Sequence, residues 1–275
     1  MIQNIVSTPP RVYLFVPGHR PDRFAKAVSS GADCVILDLE DAVPTDSKSE
    51  AREAIRAWLP TAPPVAIRLN ASGTQWFGDD LACCGHAAVA AVFLPKAERV
   101  EALDEIARAL PATTSIVPMI ETAAGFARCL DLARHPQVGR LAFGSLDFQA
   151  DLGIPGDDDA LLYFRSQLVL ASRLAGIAAP VDGITPRFDA SEPVVADAAR
   201  ARRLGFGGKL CIHPKQIPWV RSCLSPSPEE VAWAQRVVAA THQGDGAVAV
   251  DGVMVDRPVL DRANAILAGL GRATR

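Results

Sequence analysis

The sequence lacks the patterns that zinc sites, membrane spans and secretory leaders require. Its six cysteines include no C-x-x-C pair, which disfavours a zinc site and suits reduced thiols in a protein core. No apolar run approaches the roughly 20 residues that span a bilayer. The opening residues, MIQNIVSTPPR, do not place a basic segment before an apolar one, as a secretory signal would. We therefore expect a cytoplasmic protein that does not bind membranes.

The sequence also has little net charge. The formal charge of −3 and the pI of about 6.0 provide no basic surface for nucleic acid, so we expect no nucleic-acid partner. A 49% share of hydrophobic residues in a chain of 275 is ordinary for a globular protein and is enough for a large core.

Eight short apolar segments, each followed by a helical pattern, predict the fold. Strands that are apolar on both faces and alternate with helices are typical of a parallel sheet. Eight of them favour a (β/α)₈ TIM barrel. An open doubly wound sheet is the alternative, but no G-x-G-x-x-G follows the first strand. The predicted strands are VYLFVPG (12–18), CVILDLEDAV (34–43), VAIRLN (65–70), AVFLPKAE (91–98), SIVPMIET (115–122), RLAFGSLD (140–147), PVDGI (180–184) and KLCIHP (209–214).

Two helix-start signals, and the end of the strand–helix alternation after residue 224, predict the domain organisation. Ser47 and Glu50 have the spacing of a capping box before the helix AREAIRAWL. A second cap, starting at Ser227 with Pro228 next, opens a tail in which a helix, a glycine-punctuated hairpin and a final helix follow one another. We predict a barrel over 1–224 and an extension over 225–275. Because the extension is too short for its own core, we expect it to pack on the barrel or on a neighbouring subunit.

Charged and polar side chains follow every predicted strand. In a parallel barrel all strand C-termini open on one face, where the active site lies. We therefore expect one site to receive residues that are distant in sequence. These residues are Arg20, Asp38, Glu40, Asp41, Arg68, Lys96, Glu121, Asp147, Asp182 and His213.

The carboxylates in this set predict a metal site. Crowded acids repel one another unless a cation joins them, and Mg²⁺ takes one or two carboxylates while keeping water and substrate as its other ligands. Glu121 and Asp147, on consecutive strands, are the predicted ligands. Glu40 and Asp41 would accept hydrogen bonds from water around the ion. Asp38 either joins this site or caps a backbone turn.

Three other features at the strand ends leave alternatives open. Lys96 either balances the acids or forms a Schiff base with a keto acid, which would make a metal-free aldolase. His213 is either a proton shuttle or a structural histidine at the barrel rim. For Asp182, a cap or a surface ion pair competes with a role in the site. The GFGGK segment over 205–209 has the wrong spacing for a phosphate-binding loop.

Motifs in matching order over about residues 11–270 resemble the citrate lyase β-subunit family. These are LFVPGHRPDRFAKAVSSGADCVILDLEDAV, IRLN, FLPKAE, PMIETAAGF, FGSLDFQADLG, GFGGKLCIHPKQI and GVMVDRPVLDRA. That family comprises the citrate-lyase-β-like, malyl-CoA and citramalyl-CoA lyases of the HpcH/HpaI aldolase superfamily. The resemblance implies a (β/α)₈ barrel, a magnesium ion and a homotrimer or hexamer. It also implies cleavage or formation of a carbon–carbon bond in a 3-hydroxy-3-carboxy acyl thioester.

The resemblance also assigns roles to individual residues. The metal ligands fall on Glu121 and Asp147, and the substrate-binding arginine falls on Arg68. Glu121 also lies against the bound acid in this assignment. The catalytic aspartate, which a neighbouring subunit supplies in the lyases, falls on Asp256, and Arg20 falls in the loop that approaches the thioester tail. Without the resemblance, Asp256 reads as an ordinary hairpin aspartate.

Three activities follow from this reading. The leading one is a Mg²⁺-dependent lyase that yields a 2-keto acid and an acetyl thioester from a malyl-, citramalyl- or citryl-type substrate on CoA or acyl carrier protein. The second is a thioesterase with the same metal and Arg68. The third is an acyl-carrier-protein-dependent subunit of a citrate lyase complex. Leu146 departs from the acidic or small residue that relatives often carry there, which bears on pocket shape.

Overall fold

The structure of the protein is a computed structural model that describes residues 9–156, 159–242 and 248–270. It divides into two compact units, of which one is Pro9–Arg221 and the other begins at Ser222. The division falls inside one helix, Gln216–Leu224. The predicted boundary between residues 224 and 225, and the packing of the extension, stay predictions. No helix in the described parts of the chain is long and apolar enough to span a bilayer.

The first unit is a closed barrel of eight parallel strands, which confirms the predicted (β/α)₈ fold. Each strand pairs with the next, and the last closes on the first through Val12 and Lys209. The predicted strand at 34–43 is shorter than expected, because the backbone turns after Asp38. The strands are β1 (Val12–Pro17), β2 (Cys34–Asp38), β3 (Val65–Arg68), β4 (Val89–Leu94), β5 (Ser115–Ile120), β6 (Arg140–Phe143), β7 (Ala178–Asp182) and β8 (Gly208–Cys211).

Helices separate the strands and cover the outside of the barrel. Short 3₁₀ turns lie at Pro21–Arg23, Thr45–Ser47, Leu59–Thr61 and Asp159–Leu161. The helices of the first unit are α1 (Phe24–Val28), α2 (Lys48–Trp58), α3 (Phe77–Cys83), α4 (Val100–Ala109), α5 (Ala123–Ala127), α6 (Cys129–Ala133), α7 (Ser145–Leu152), α8 (Leu162–Ala175) and α9 (Ser191–Leu204), followed by α10 (Gln216–Leu224).

The barrel interior is a packed core of alternate strand residues. Two large rings, Tyr13 and Phe93, meet edge to face with centroids 5.7 Å apart. Small residues such as Ala66 and Ala142 make room for them in the same cluster. Because this core fills the barrel, the space for a ligand lies above it, at the C-terminal ends of the strands.

The second unit contains α11 (Pro228–His242), the hairpin of β9 (Val248–Val250) and β10 (Val253–Val255), and α12 (Arg257–Ala268). The hairpin prediction is confirmed for its described part, while 243–247 lie outside the described residues. Its turn places Asp251 and Gly252 at φ 53° and 78°, as a tight two-residue hairpin requires. The expectation that this segment has no core is wrong. It buries a small cluster, which consists of Ala234, Val237, Val250 and Ala263.

The two predicted helix caps have opposite outcomes. The Ser227 cap is confirmed, because Ser227 Oγ accepts from the Glu230 N–H at 3.2 Å and Glu230 Oε2 accepts from the Ser227 N–H at 2.8 Å. The Ser47–Glu50 capping box is wrong, because Ser47 makes no side-chain cap and lies at φ −99°, ψ 3°. Ser47 is the last residue of the 3₁₀ turn that runs directly into α2. Its backbone therefore does not adopt the extended conformation that a helix N-cap needs.

Candidate active site

A cavity of about 340 Å³ opens at the C-terminal ends of the barrel strands. Five of the predicted site residues lie on its wall, so the structure brings together residues that are far apart in sequence. They are Asp38, Asp41, Arg68, Glu121 and Asp147. Leu146, which differs from the acidic or small residue that relatives often carry, lies on the same wall, and its side chain is partly exposed.

Glu121 is one of two almost fully buried carboxylates on the cavity wall, the other being Asp38. Glu121 follows β5 directly and is only 1% exposed. Its Oε2 accepts a hydrogen bond of 2.8 Å from the backbone N–H of Lys96. Burial and the neighbouring carboxylates of Glu40 and Asp147 together raise the pKa of Glu121 to about 8, against the opposing charge of Arg68.

Asp147 approaches the same cavity from the next strand–helix connection. It lies in the first turn of α7, where a carboxylate is favoured by the helix dipole, and its side chain is 42% exposed. Its Oδ1 lies 3.9 Å from Lys96 Nζ. Glu121 and Asp147 therefore present one buried and one accessible carboxylate to the same cavity, and their assignment as metal ligands stays a prediction.

Arg68 enters the cavity already bound to Asp38. Its Nε and Nη2 each donate to one oxygen of Asp38 at 2.7 Å, while its guanidinium stacks over Phe15 at 4.7 Å. Burial alone would lower the pKa of Arg68, but the charge of Asp38 outweighs burial and raises it. The cation is therefore permanent, and its position is fixed by a bidentate pair.

Asp38 has two structural tasks. Its oxygens accept the backbone N–H groups of Glu40 at 2.9 Å and Ala42 at 3.1 Å, which confirms the alternative that it caps a turn. Burial would raise the pKa of Asp38, but Arg68 and these N–H groups together hold that pKa below its usual range. The pairing with Arg68 was not part of the sequence prediction.

Lys96 forms an ion pair with Glu40, one of the carboxylates of the site. Lys96 Nζ donates to Glu40 Oε1 at 2.8 Å. Burial would lower the pKa of Lys96, but the hydrogen bond and charge of Glu40 raise it well above the ordinary value. Because a Schiff base requires a neutral amine, this pairing disfavours the aldolase alternative. Lys96 also lies at φ 46°, and that unusual backbone aims its N–H at Glu121.

Three of the predicted strand-end residues do not line this cavity, namely Arg20, His213 and Asp182. Arg20 pairs with Asp22 at 2.8 Å in the loop after β1. His213 stacks on Phe188, with ring centroids 4.8 Å apart, beside a separate cavity of about 540 Å³. The expectation that Asp182 joins the acids at the mouth is wrong. It is buried with Arg165 at 2.9 Å and Lys209 at 3.3 Å, because these cations neutralise it within the barrel wall.

Asp256 belongs to the second unit. It is exposed, and its Oδ1 accepts the backbone N–H of Val259 at 3.1 Å, so it is the N-cap of α12. This contact agrees with the ordinary structural reading of the residue. Its assignment as a catalytic aspartate stays a prediction.

Sequence reasoning missed the lysine that holds the loop carrying Glu40. Lys48 Nζ donates to the carbonyls of Leu39 at 2.6 Å and Glu40 at 2.7 Å, and to Asn70 Oδ1 at 2.8 Å. Asn70 is held in turn by Asp80 at 2.6 Å. No signal in the sequence marks Lys48, because a lysine just after a predicted helix cap is ordinarily exposed.

The carboxylates fit a hard divalent cation. Over residues 9–156, 159–242 and 248–270 no cluster of three or more His, Cys, Asp or Glu side chains has metal-binding geometry. A magnesium-type site does not need one, since one or two carboxylates suffice when water and substrate complete the octahedron. Glu121 and Asp147 meet this requirement, and their mutual repulsion is a reason for a cation to join them.

Comparison with known proteins identifies the family. The HpcH/HpaI aldolase/citrate lyase family matches residues 11–214. The chain is 36% identical to the citrate lyase subunit beta-like protein of Deinococcus radiodurans, covering 94% of this chain and 96% of that protein. It is 33% identical to a (3S)-malyl-CoA thioesterase of Cereibacter sphaeroides, with coverage of 94% and 96%. It is 31% identical to the mitochondrial citramalyl-CoA lyase of Rattus norvegicus, with coverage of 97% and 87%.

A solved structure agrees with these relatives. The crystal structure of CitE from Mycobacterium tuberculosis, in complex with magnesium, acetoacetate and coenzyme A, superposes with a TM-score of 0.83 at 35% identity. The match covers 95% of this chain and 98% of that one. Barrel, strand-end carboxylates and sequence identity agree, and the chain belongs to the HpcH/HpaI aldolase/citrate lyase family.

Proposed function

We propose that this protein is a Mg²⁺-dependent carbon–carbon lyase. Its substrate is a 3-hydroxy-3-carboxy acyl thioester of the malyl, citramalyl or citryl type, which it cleaves to a 2-keto acid and an acetyl thioester. The observation that carries the proposal is the placement of Glu121 and Asp147 on one cavity beside the fixed cation of Arg68. Relatives named as lyases, and the magnesium and coenzyme A in the CitE crystal structure, support an enzyme of this class.

The carboxylates and Arg68 would divide the binding of the substrate between them. Glu121 and Asp147 hold the magnesium ion, which when bound supplies Lewis-acid polarisation of the carboxylate and hydroxyl oxygens of the acid. Arg68, fixed by Asp38, presents positive charge where negative charge develops as the bond breaks. Since the guanidinium does not have to reorganise, this stabilisation is available at the moment of reaction.

The remaining residues organise the surroundings. Glu40 and Asp41 accept hydrogen bonds from ordered water beside the ion, and Lys96 offsets part of the negative charge. Asp256, supplied by a neighbouring subunit, exchanges the proton at the acyl carbon. Arg20 contacts the thioester tail. The roles of Asp256 and Arg20 follow the family resemblance, and a homotrimer or hexamer is the assembly that would provide Asp256.

A thioesterase is the second candidate, and the (3S)-malyl-CoA thioesterase relative favours it. The same metal and Arg68 would polarise the thioester for attack by water. Product analysis separates the two. The purified chain is incubated with malyl-, citramalyl- and citryl-CoA in the presence of Mg²⁺. The lyase releases a keto acid and acetyl-CoA, whereas the thioesterase releases the free hydroxy acid and coenzyme A.

A third candidate is a subunit of a larger citrate lyase that acts on acyl carrier protein. The name of the Deinococcus radiodurans relative favours it. This candidate predicts little turnover of acyl-CoA by the purified chain, and turnover when acyl carrier protein thioesters and partner subunits are added. Turnover of acyl-CoA by the chain alone contradicts it.

A further inference from the structure

Ser145 has a buried hydroxyl with no partner in the described protein. It is the first residue of α7, is 2% exposed and lies on the wall of the active-site cavity. Its Oγ makes no hydrogen bond to any described residue. The hydroxyl is packed against Gly183, where a Cβ atom would lie only 2.6 Å from it. Glycine at 183 therefore leaves the room that this side chain occupies.

An unpartnered hydroxyl needs a further observation to indicate a ligand, and Ser145 has one in its place on the cavity wall, which the equally buried Ser172 lacks. A buried polar group without a hydrogen bond costs about 1–3 kcal/mol, so such groups are rare in folded proteins unless something else satisfies them. Ser145 lies two residues before Asp147 and next to Gly144, which contacts Glu121. Its position thus makes the cavity contents the available partner.

The chemistry of the cavity wall indicates which ligand group it meets. The polar side chains on the wall comprise four carboxylates and two hydrogen-bond donors, Arg68 and Ser145. Arg68 donates through Nε and Nη2 to Asp38, and its Nη1 faces Glu40 at 3.0 Å. Arg68 keeps at least one N–H beyond these contacts, and Ser145 is the neutral side-chain donor on this wall, with no hydrogen bond to any described residue. An anionic acid in a cavity of carboxylates needs such a donor.

We propose that Ser145 Oγ donates a hydrogen bond to a carboxylate oxygen of the small acid in the site, and so positions that acid. The inference rests on the proposed function, because it assumes that a small acid binds beside Glu121 and Asp147. It adds a residue that selects an acid oxygen and contributes nothing to holding the metal.

Calorimetric titration of pyruvate and of oxaloacetate, each at saturating MgCl₂, tests the inference on the full chain. Ser145→Ala removes the hydroxyl and should weaken acid binding about tenfold, the size expected for one hydrogen bond to a charged group. Ser145→Gly provides a second variant without the hydroxyl. Ser172→Ala is the matched control, since Ser172 Oγ is also buried and unpartnered but lies on α8 away from the cavity wall.

The affinities for the acid and for Mg²⁺ distinguish a role of Ser145 in binding the acid from a role in binding the metal. Mg²⁺ affinity, measured without acid, should stay within about twofold of wild type in all three variants, and Ser172→Ala should bind acid as wild type does. Unchanged acid affinity in both Ser145 variants overturns the inference alone, and so does a loss of Mg²⁺ affinity that accounts for the weaker acid binding. A wild-type chain that binds Mg²⁺ but neither acid overturns the inference and the proposed function together.

Discussion

Gly144 lies directly against the carboxyl group of Glu121. A Cβ atom at position 144 would overlap Glu121 Cγ and Oε1, although the backbone at Gly144, with φ −91°, accepts any residue. The glycine is therefore required by the side chain of another residue and not by its own conformation. The contact between Gly144 and Glu121 therefore couples the position of Glu121 to the start of α7, the helix that carries Asp147.

Replacing Gly144 by alanine should displace the Glu121 carboxylate while leaving the barrel folded. We expect Mg²⁺ affinity to fall by about 10- to 100-fold, the range for residues that orient a metal ligand. Gly78→Ala is the control, because a Cβ at 78 meets nothing within 4 Å and alanine suits its helix. Titration calorimetry with Mg²⁺, together with circular dichroism, checks the prediction. Unchanged affinity in Gly144→Ala would place Glu121 outside the metal site.

Asp182 should control the acid stability of the barrel. Burial would raise the pKa of Asp182, but Lys209 and Arg165 outweigh burial and hold that pKa below its ordinary value of 3.8. A carboxyl whose folded pKa is depressed stabilises the fold fully above its unfolded pKa, and that stabilisation is lost as the pH falls below about 4. Wild type should therefore lose this contribution on acidification.

The variant Asp182→Asn leaves two buried cations without their counter-charge. We expect a loss of about 3–5 kcal/mol in the free energy of unfolding at pH 7, with a difference from wild type that shrinks toward pH 3. Asp189→Asn is the control, since its pair with Arg187 is exposed and should contribute less than about 1 kcal/mol. Urea unfolding at several pH values measures both. A difference that does not vary with pH would refute the assignment.

A single substitution can separate the helix-cap role of Asp256 from its proposed catalytic role. Asparagine caps helices as well as aspartate, so Asp256→Asn should keep the contact with the Val259 N–H and the stability of α12. If Asp256 exchanges a proton with the acyl carbon, the same variant should lose about 10²- to 10⁴-fold in kcat. Asp261→Asn in the same helix is the control for a change of charge. Full activity in Asp256→Asn would leave this aspartate as a cap alone.

Much of the barrel and part of the site could be predicted, because both depend on local pattern. Apolar runs mark buried parallel strands, and the closing of such strands into a barrel brings their ends together whatever the side chains are. This is why Glu121 and Asp147 could be assigned to one cavity. The family resemblance added their proposed roles.

Two of the missed or wrong assignments involve partners that lie far away in sequence, and a third has a local cause. Asp38 and Arg68 are 30 positions apart, and nothing near either residue signals a bidentate pair. Asp182 is neutralised by Arg165 on a helix and Lys209 on another strand, so its sequence neighbours gave no warning of burial. At Ser47 the spacing of a capping box was present, but the preceding 3₁₀ turn changed the backbone that a cap needs.

The dependence of keto acid release on Mg²⁺ tests whether this protein is a metal-dependent lyase. The chain is given the thioester that it cleaves, and keto acid is measured with Mg²⁺, after addition of EDTA, and after Mg²⁺ is returned. We expect EDTA to abolish keto acid formation and Mg²⁺ to restore it. Cleavage that continues in EDTA, with borohydride trapping pyruvate on Lys96, would contradict a Mg²⁺-dependent mechanism and indicate a Schiff-base aldolase.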